Sequence, residues 1–377
     1  MDSTEEHIQR WRLVLGAAAD PKGVSTLSAE EQRMDKVLEA LYDSDRQGGL
    51  GSSSPNVHRW LGDIRRYFPT PMVQIMQRDA LERLGLRRML LEPELLEQME
   101  PDVHLVASLL SLSKSLPATT RETAKQVVRR VVEALEKRLR SPTQQAIEGS
   151  LHKSTRKRRP TLQEINWQRT IQVNLRHYSP ELKAIIPEKL VGHGRRGQKL
   201  RDLILLLDQS GSMAGSMVYA AVLGSIMASL RTVNTRLIAF DTSVADLSEY
   251  LHDPVELLFA VQSGGGTDIR KALAHSKGLI RRPMDTILVL ISDLYEGGNA
   301  REMMRCFSEI RASGVQCVTL LALSDKGAPA YDRQIADQLA AQGIPAFACT
   351  PELFPDLMAA AIRGSDLGDW AAAQSDK

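Results

Sequence analysis

Cysteine is scarce in this 377-residue chain: Cys306, Cys317 and Cys349 are odd in number and follow no metal-ligand spacing. That argues against a disulfide framework and leads to the expectation of buried thiols in a reducing compartment. Strong charge of one sign is lacking too, since the formal net charge is +2. By itself this balance points to no polyanionic partner. No apolar run approaches the roughly 20 residues needed to cross a bilayer, and the polar start Met1–His7 lacks a signal-peptide core. A cytoplasmic location with no membrane contact is therefore expected. Hydrolase signatures are missing as well: there is no G-x-S-x-G, no H-E-x-x-H and no G-x-x-x-x-G-K-[ST]. The eight histidines are scattered, and His275 reads as a surface or packing residue. The expectation is a protein that is not an enzyme.

What is present starts with Leu203-Ile204-Leu205-Leu206-Leu207, a run that reads as a strand buried on both faces of a parallel sheet. It stops at Asp208, and Ser210 and Ser212 follow, with Gly211 allowing a tight turn between them. Asp208, Ser210 and Ser212 thus line one loop at the carboxyl end of a buried strand. Grouped hard oxygens suit Mg²⁺ or Mn²⁺. Two further segments belong with them. Gly264-Gly265-Gly266-Thr267-Asp268 presents the Thr267 hydroxyl before a helical pattern, and Thr286–Ser292 is a second buried strand leading to Asp293. A plainer reading has these residues cap helices; it accounts for Ser212 but not for three segments at once.

This set resembles the metal-ion-dependent adhesion site of von Willebrand factor A (VWA) domains, in which Asp-x-Ser-x-Ser is followed by a distant Thr and a distant Asp. The resemblance implies an α/β fold, with a doubly wound, mostly parallel, Rossmann-like sheet. It also implies that Ser210, Ser212 and often Thr267 touch the metal directly, while Asp208 and Asp293 act largely through water and hydrogen bonds. A shell of that kind leaves one coordination position for a Glu or Asp from a protein partner.

The strings Asp208–Met213, Ala239-Phe240-Asp241-Thr242-Ser243-Val244 and Ser292–Gly298 sharpen the likeness. So does Asn166–Leu175. Together they are similar to bacterial VWA proteins of the CoxE-like and YehP type. The sequence departs from the usual Thr-Asp-Gly at Ser292-Asp293-Leu294, although the aspartate is kept. Related proteins work beside MoxR-type AAA+ ATPases, so the resemblance implies an adaptor between such a motor and a client. Two alternatives stand beside it: an RNA-binding VWA protein resembling the Ro class, and a metal-dependent hydrolase.

Around this core, residues 1–140 read as an all-helical domain. Ser28 and Glu31 have capping-box spacing, and Thr120–Arg140 is the clearest amphipathic helix. Residues 141–198 read as a basic linker and connecting helix. Lys153, Arg156, Lys157, Arg158 and Arg159 form a solvated linker or a contact for nucleic acid or an acidic partner. No aromatic is interleaved there, so a stacking platform is not indicated. Trp167, Ile171, Leu175 and Tyr178 make one helical stripe, expected to pack on the VWA domain or join it to the helical part. Gly192–Gly197 matches G-x-G-x-x-G, but it precedes a strand instead of following one, so a basic loop is the better reading. The VWA domain is expected over 199–364, with a flexible tail at 365–377.

Overall fold

The computed structural model describes residues 27–42, 57–83, 88–113, 115–152, 156–157, 165, 167–180, 182–193, 201–261, 266–323 and 330–375. Expectations for residues 1–26, the glycine break at 48–55, Lys153, Arg158, Arg159, the loop 194–197 and Gly264-Gly265 lie outside them. The chain divides into two compact units, Met1–Glu133 and Ala134–Lys377.

The first unit is helical: α1 (Ala29–Tyr42), α2 (Val57–Tyr67), α3 (Thr70–Arg83), α4 (Pro93–Gln98), α5 (Val103–Ser111) and the start of α6 (Ala118–His152). Two of these helices, α1 and α5, begin where side chains satisfy their first free N–H groups. Ser28 N–H donates to Glu31 Oε2 at 2.8 Å while Glu31 N–H donates to Ser28 Oγ at 3.2 Å, a reciprocal capping box. Asp102 accepts from Leu105 N–H at 2.6 Å to start α5. Leu61, Ile64, Val73, Met76, Leu96 and Leu109 are buried in the helical core.

Helix α6 corrects a boundary. It runs to His152 with Pro142 inside it, well past the expected end at Arg140. Proline removes one i→i−4 bond and normally breaks a helix. Here the apolar stripe continues across it: Leu139, Thr143, Ile147 and Ser150 are all buried, and Thr143 Oγ1 donates to the Leu139 carbonyl at 2.7 Å. Burial on the far side outweighs the lost bond. The connecting helix is shorter than expected. It spans α7 (Trp167–Val173), followed by a 3₁₀ turn at Leu175–His177. Its stripe does not pack inward: Trp167, Ile171, Leu175 and Tyr178 are 52%, 45%, 59% and 53% exposed. Arg156–Lys157 pair with Gly192–His193 in a short antiparallel ladder.

The second unit is built on a six-stranded sheet of β1 (Arg201–Asp208), β2 (Val233–Phe240), β3 (Val244–Asp246), β4 (Thr286–Ile291), β5 (Gln316–Leu323) and β6 (Ala346–Cys349). The strand order is β6-β5-β4-β1-β2-β3, and every pairing is parallel except β2 with β3. The connecting helices are α8 (Ala214–Ser229), α9 (Pro254–Ala260), α10 (Ile269–Leu279), α11 (Ala300–Ala312), α12 (Arg333–Ala341) and α13 (Phe354–Arg363). Strand β4 is buried at all six positions, and Leu203–Leu207 of β1 are at most 2% exposed. Each such side chain contributes about 1.5–3 kcal/mol on burial, more than the ~1 kcal/mol typical of a helix cap. These two strands therefore set the position of everything at their ends.

Helix α8 with its leading turn, Gly211–Ser229, is long and apolar enough to cross a membrane by composition, but 67% of that window is buried inside the fold. Gly224 shows why it fits there: a Cβ would meet Leu205, Leu237 and Leu251 at 3.3 Å each. The expected loose tail is instead a helix, α14 (Leu367–Ser375). Asp366 caps it through Gly368 N–H at 2.7 Å, Leu367 is buried, and the Trp370 ring lies 5.8 Å from that of Phe347.

Candidate metal centre

Strand β1 sits where the connections change direction, with β2 reached on one side and β4, β5 and β6 on the other. Clefts at the carboxyl ends of strands flanking such a reversal are the usual ligand sites of open α/β sheets. Asp208 is the last residue of β1, and Asp293 lies just beyond β4, whose Ile291 pairs with Leu207.

Asp208 is fully buried. Its Oδ1 accepts from Ser210 N–H at 2.9 Å and its Oδ2 from Ser292 Oγ at 2.7 Å. Ser212 Oγ donates to Asp293 Oδ2 at 2.5 Å, and Ser210 Oγ lies 3.2 Å from Ser212 Oγ. A hydroxyl has one proton. With that of Ser212 committed to Asp293, the Ser210 hydroxyl is the donor of the pair. Two strands 80-odd positions apart in the chain are thereby joined by a run of oxygen atoms. Burial pushes the Asp208 carboxyl above the usual carboxylate range; the Ser292 and Ser210 hydrogen bonds pull it back, and the nearby Asp293 adds to the rise.

Thr267 is buried and arrives from a different loop. Its carbonyl accepts from Gly297 N–H at 2.8 Å, and a Cβ on Gly297 would stand 2.8 Å from that same oxygen, so only glycine allows the approach. Glu296 completes the clasp. Its carboxylate accepts from Ile269 N–H at 2.7 Å and Gly298 N–H at 3.1 Å. Burial pushes Glu296 up, its two backbone bonds lower it, and Asp268 raises it further. Asp268 accepts from Lys271 N–H at 2.9 Å to start α10. Burial alone would raise its carboxyl, but the Lys271 bonds and the Lys271 and Arg270 charges prevail and lower it. Asp241 accepts from Ser243 N–H at 2.6 Å in a turn, and its carbonyl accepts from Asp268 N–H at 2.8 Å. Both aspartates have the structural roles expected of them, and His275 is exposed.

Of the five expected ligands, direct contacts bring together Asp208, Ser210, Ser212 and Asp293. Thr267 is tied to the loop that follows Asp293 through its backbone. Three contributors were not singled out as site residues: Ser292, Glu296 and Leu294. The last has φ +66 and is fully buried. The Ser-Asp-Leu departure from Thr-Asp-Gly was the visible signal for two of them. Leucine occupies a left-handed position that glycine would take without strain.

The donor set fits a hard divalent cation. It offers carboxylate and hydroxyl oxygens, and Ser212 can keep its proton on Asp293 while turning lone pairs outward. A cation would also compensate the buried Asp208. Among the described residues no group of three or more His, Cys, Asp or Glu could hold a metal, so an ion here would depend on the hydroxyls.

A six-stranded sheet with one antiparallel edge and an Asp-x-Ser-x-Ser loop at its carboxyl end defines a VWA domain. Residues 135–358 match the family described as VWA domain containing CoxE-like protein. The chain belongs to that family; VWA domains in general commonly bind a divalent cation and mediate protein–protein interactions. It is 33% identical over 358 residues to the uncharacterized protein YehP of Escherichia coli K12, covering 92% of this chain and 94% of YehP. Two solved structures are also similar. One is an aerotolerance-related membrane protein of Bacteroides fragilis carrying multiple mutations to serines, with 16% identity, 45% of this chain, 99% of that one and TM-score 0.32. The other is the conserved hypothetical protein BatB of Bacteroides thetaiotaomicron, with 16% identity, 46% of this chain, 99% of that one and TM-score 0.33.

Proposed function

We propose that this chain is a non-enzymatic, Mg²⁺-dependent protein-binding adaptor that acts in the cytoplasm and links a MoxR-type AAA+ ATPase to a client. The observation that carries the reading is the oxygen run Ser210–Ser212–Asp293 beside the buried Asp208. When bound, the cation supplies an electrophilic docking point for a carboxylate from the partner. Ser210, Ser212 and Thr267 would hold it, with Asp208 and Asp293 orienting the hydroxyls. Each carboxylate already serves a neighbour: Asp208 takes the Ser292 proton and the Ser210 N–H, and Asp293 takes the Ser212 proton. Neither is arranged to draw a proton from water, which supports docking over hydrolysis.

The test is capture of a purified MoxR-type ATPase by immobilised wild-type chain and by Asp208→Ala. Both arms contain Mg²⁺ and nucleotide, because the ATPase needs them itself. Capture by wild type and its loss in a variant with an unchanged circular dichroism spectrum is the expected result. Equal capture by both proteins sinks the metal-docking reading.

A further inference from the structure

At the opposite end of the strands from the metal centre, a cleft of about 380 Å³ opens beside the amino-terminal halves of β1 and β2. Its lining includes Asp202, Asn234, Arg236, Leu279, Arg281 and Arg282. Register explains the grouping. Asp202 pairs with Asn234 and Ile204 with Arg236, so all four occupy one face of the sheet. Two residues further along the same face, Leu206 and Ile238 enter the apolar core under α10 and α11. The face thus turns from apolar to polar at Arg236, and the end of α10 with the following turn forms the cleft's other wall.

The charges in this cleft are not all matched. Arg282 places Nε and Nη2 on Asp202 Oδ2 at 3.1 and 2.9 Å, and Asn234 Nδ2 donates to Asp202 Oδ1 at 2.9 Å. The single carboxylate is committed to those two. Arg236 and Arg281 are left, and among the described residues neither guanidinium has a hydrogen-bond or ion-pair partner. Arg236 is half-buried on the covered face of the sheet. A guanidinium cannot shed its charge, and partial burial without a counter-ion is unfavourable.

We propose that this cleft is a binding site for a small organic oxyanion, a phosphate or a carboxylate held by the forks of Arg236 and Arg281, with its apolar part against Leu279. Planar guanidinium forks match both anions, and the volume falls in the range of about 300–1,000 Å³ usual for small-ligand sites. The Asp202–Arg282 pair shapes the wall and keeps a cationic ligand from being preferred. The inference does not depend on the metal site.

The experiment uses the full chain in low-salt, metal-free buffer and measures binding of inorganic pyrophosphate and of citrate by calorimetry and thermal shift. At least one probe is expected to bind, and which one binds separates phosphate from carboxylate ligands. Arg236→Met and Arg281→Met are each expected to weaken that binding by about tenfold or more, the loss of one charge-assisted contact. Arg305→Met, at a side chain 80% exposed and outside the cleft, should leave it unchanged. Arg281 is exposed, so its variant tests the site even if Arg236→Met disturbs folding. Absence of binding by both probes, or equal binding by wild type and Arg281→Met, overturns the proposal.

Discussion

Ser292 Oγ donates to Asp208 Oδ2 at 2.7 Å, and both residues are fully buried. The bond crosses from the end of β4 to the end of β1 and supplies one of the two donors found on the buried carboxylate. Ser292→Ala removes the donor and leaves a desolvated oxygen without compensation, which costs about 1–3 kcal/mol. Ser292→Thr keeps the hydroxyl and should cost much less. Urea denaturation of the two variants checks the contrast, and equal midpoints would contradict the assigned role.

Mg²⁺ should stabilise the wild-type chain against heat. Ligand at 100 times its dissociation constant contributes about 2.7 kcal/mol, equivalent to a shift of roughly 5–10 °C for a domain of this size. Asp208→Ala and Ser212→Ala should abolish the shift while leaving a cooperative transition. Melting curves with Mg²⁺ and with chelator measure it, and Ca²⁺ in place of Mg²⁺ reports on how strictly the site selects size.

How much of this centre could be read before the fold was known differs from residue to residue. Asp208 and Asp293 were legible because β1 and β4 are buried on both faces and so appear as unbroken apolar runs, each ending near an aspartate. Gly314 and Gly343, just past the ends of α11 and α12, have φ +100 and +70, the left-handed position that glycine takes at helix ends. Glu296 was not legible. Its value lies in reaching Ile269 N–H, 27 positions away, and no periodicity encodes that. The passage of α6 through Pro142 was hidden because the breaker is local while the burial of Ile147 that overrides it is tertiary. The stripe of α7 misled for the opposite reason: helical spacing of Trp167, Ile171, Leu175 and Tyr178 shows a common face, not what covers it.

Leu294 sets two effects against each other. Its left-handed backbone, φ +66, costs about 1–2 kcal/mol. Its side chain is wholly buried in the cluster with Phe240, Leu290 and Met303, and removing a buried leucine side chain costs about 2–5 kcal/mol. Packing wins on these magnitudes. Leu294→Gly is therefore expected to lower stability, by up to about 4 kcal/mol, the largest difference between those terms. A glycine variant more stable than wild type in chemical denaturation would show that strain dominates.

The cysteines give a pH-dependent test. Burial pushes the Cys317 and Cys349 thiols up from 9.0 to about 12 in each case. At pH 8 native protein should react with a thiol reagent neither at Cys317 nor at Cys349, and unfolding should expose both. The sign for stability follows from linkage. Above pH 9 the unfolded chain loses thiol protons that the folded chain retains, so this contribution is present below pH 9 and is lost as pH rises toward 12. Cys317→Ala should flatten the alkaline decline in melting temperature, once its own packing loss at lower pH is subtracted.

Gly297 links the glycine loop to the loop after β4, and its replacement separates metal geometry from overall folding. In Gly297→Ala the new Cβ would lie 2.8 Å from the Thr267 carbonyl, a backbone atom that cannot swing aside. The two loops must part, which lengthens the Gly297 N–H bond to that carbonyl and shifts Thr267 relative to the loop that carries Asp293. The sheet is untouched, so the cost in stability should be modest, about 1–2 kcal/mol for one strained hydrogen bond and its surroundings. The Mg²⁺-dependent thermal shift should fall far more, because octahedral coordination of Mg²⁺ tolerates little displacement of a ligand. Gly298→Ala probes the other half of the clasp, since a Cβ there would stand 2.6 Å from Glu296 Oε1, on the carboxylate that holds Ile269 N–H. Chemical denaturation and Mg²⁺ thermal shifts on Gly297→Ala and Gly298→Ala decide the matter. If Gly297→Ala retains the full metal response, Thr267 does not take part in holding the ion.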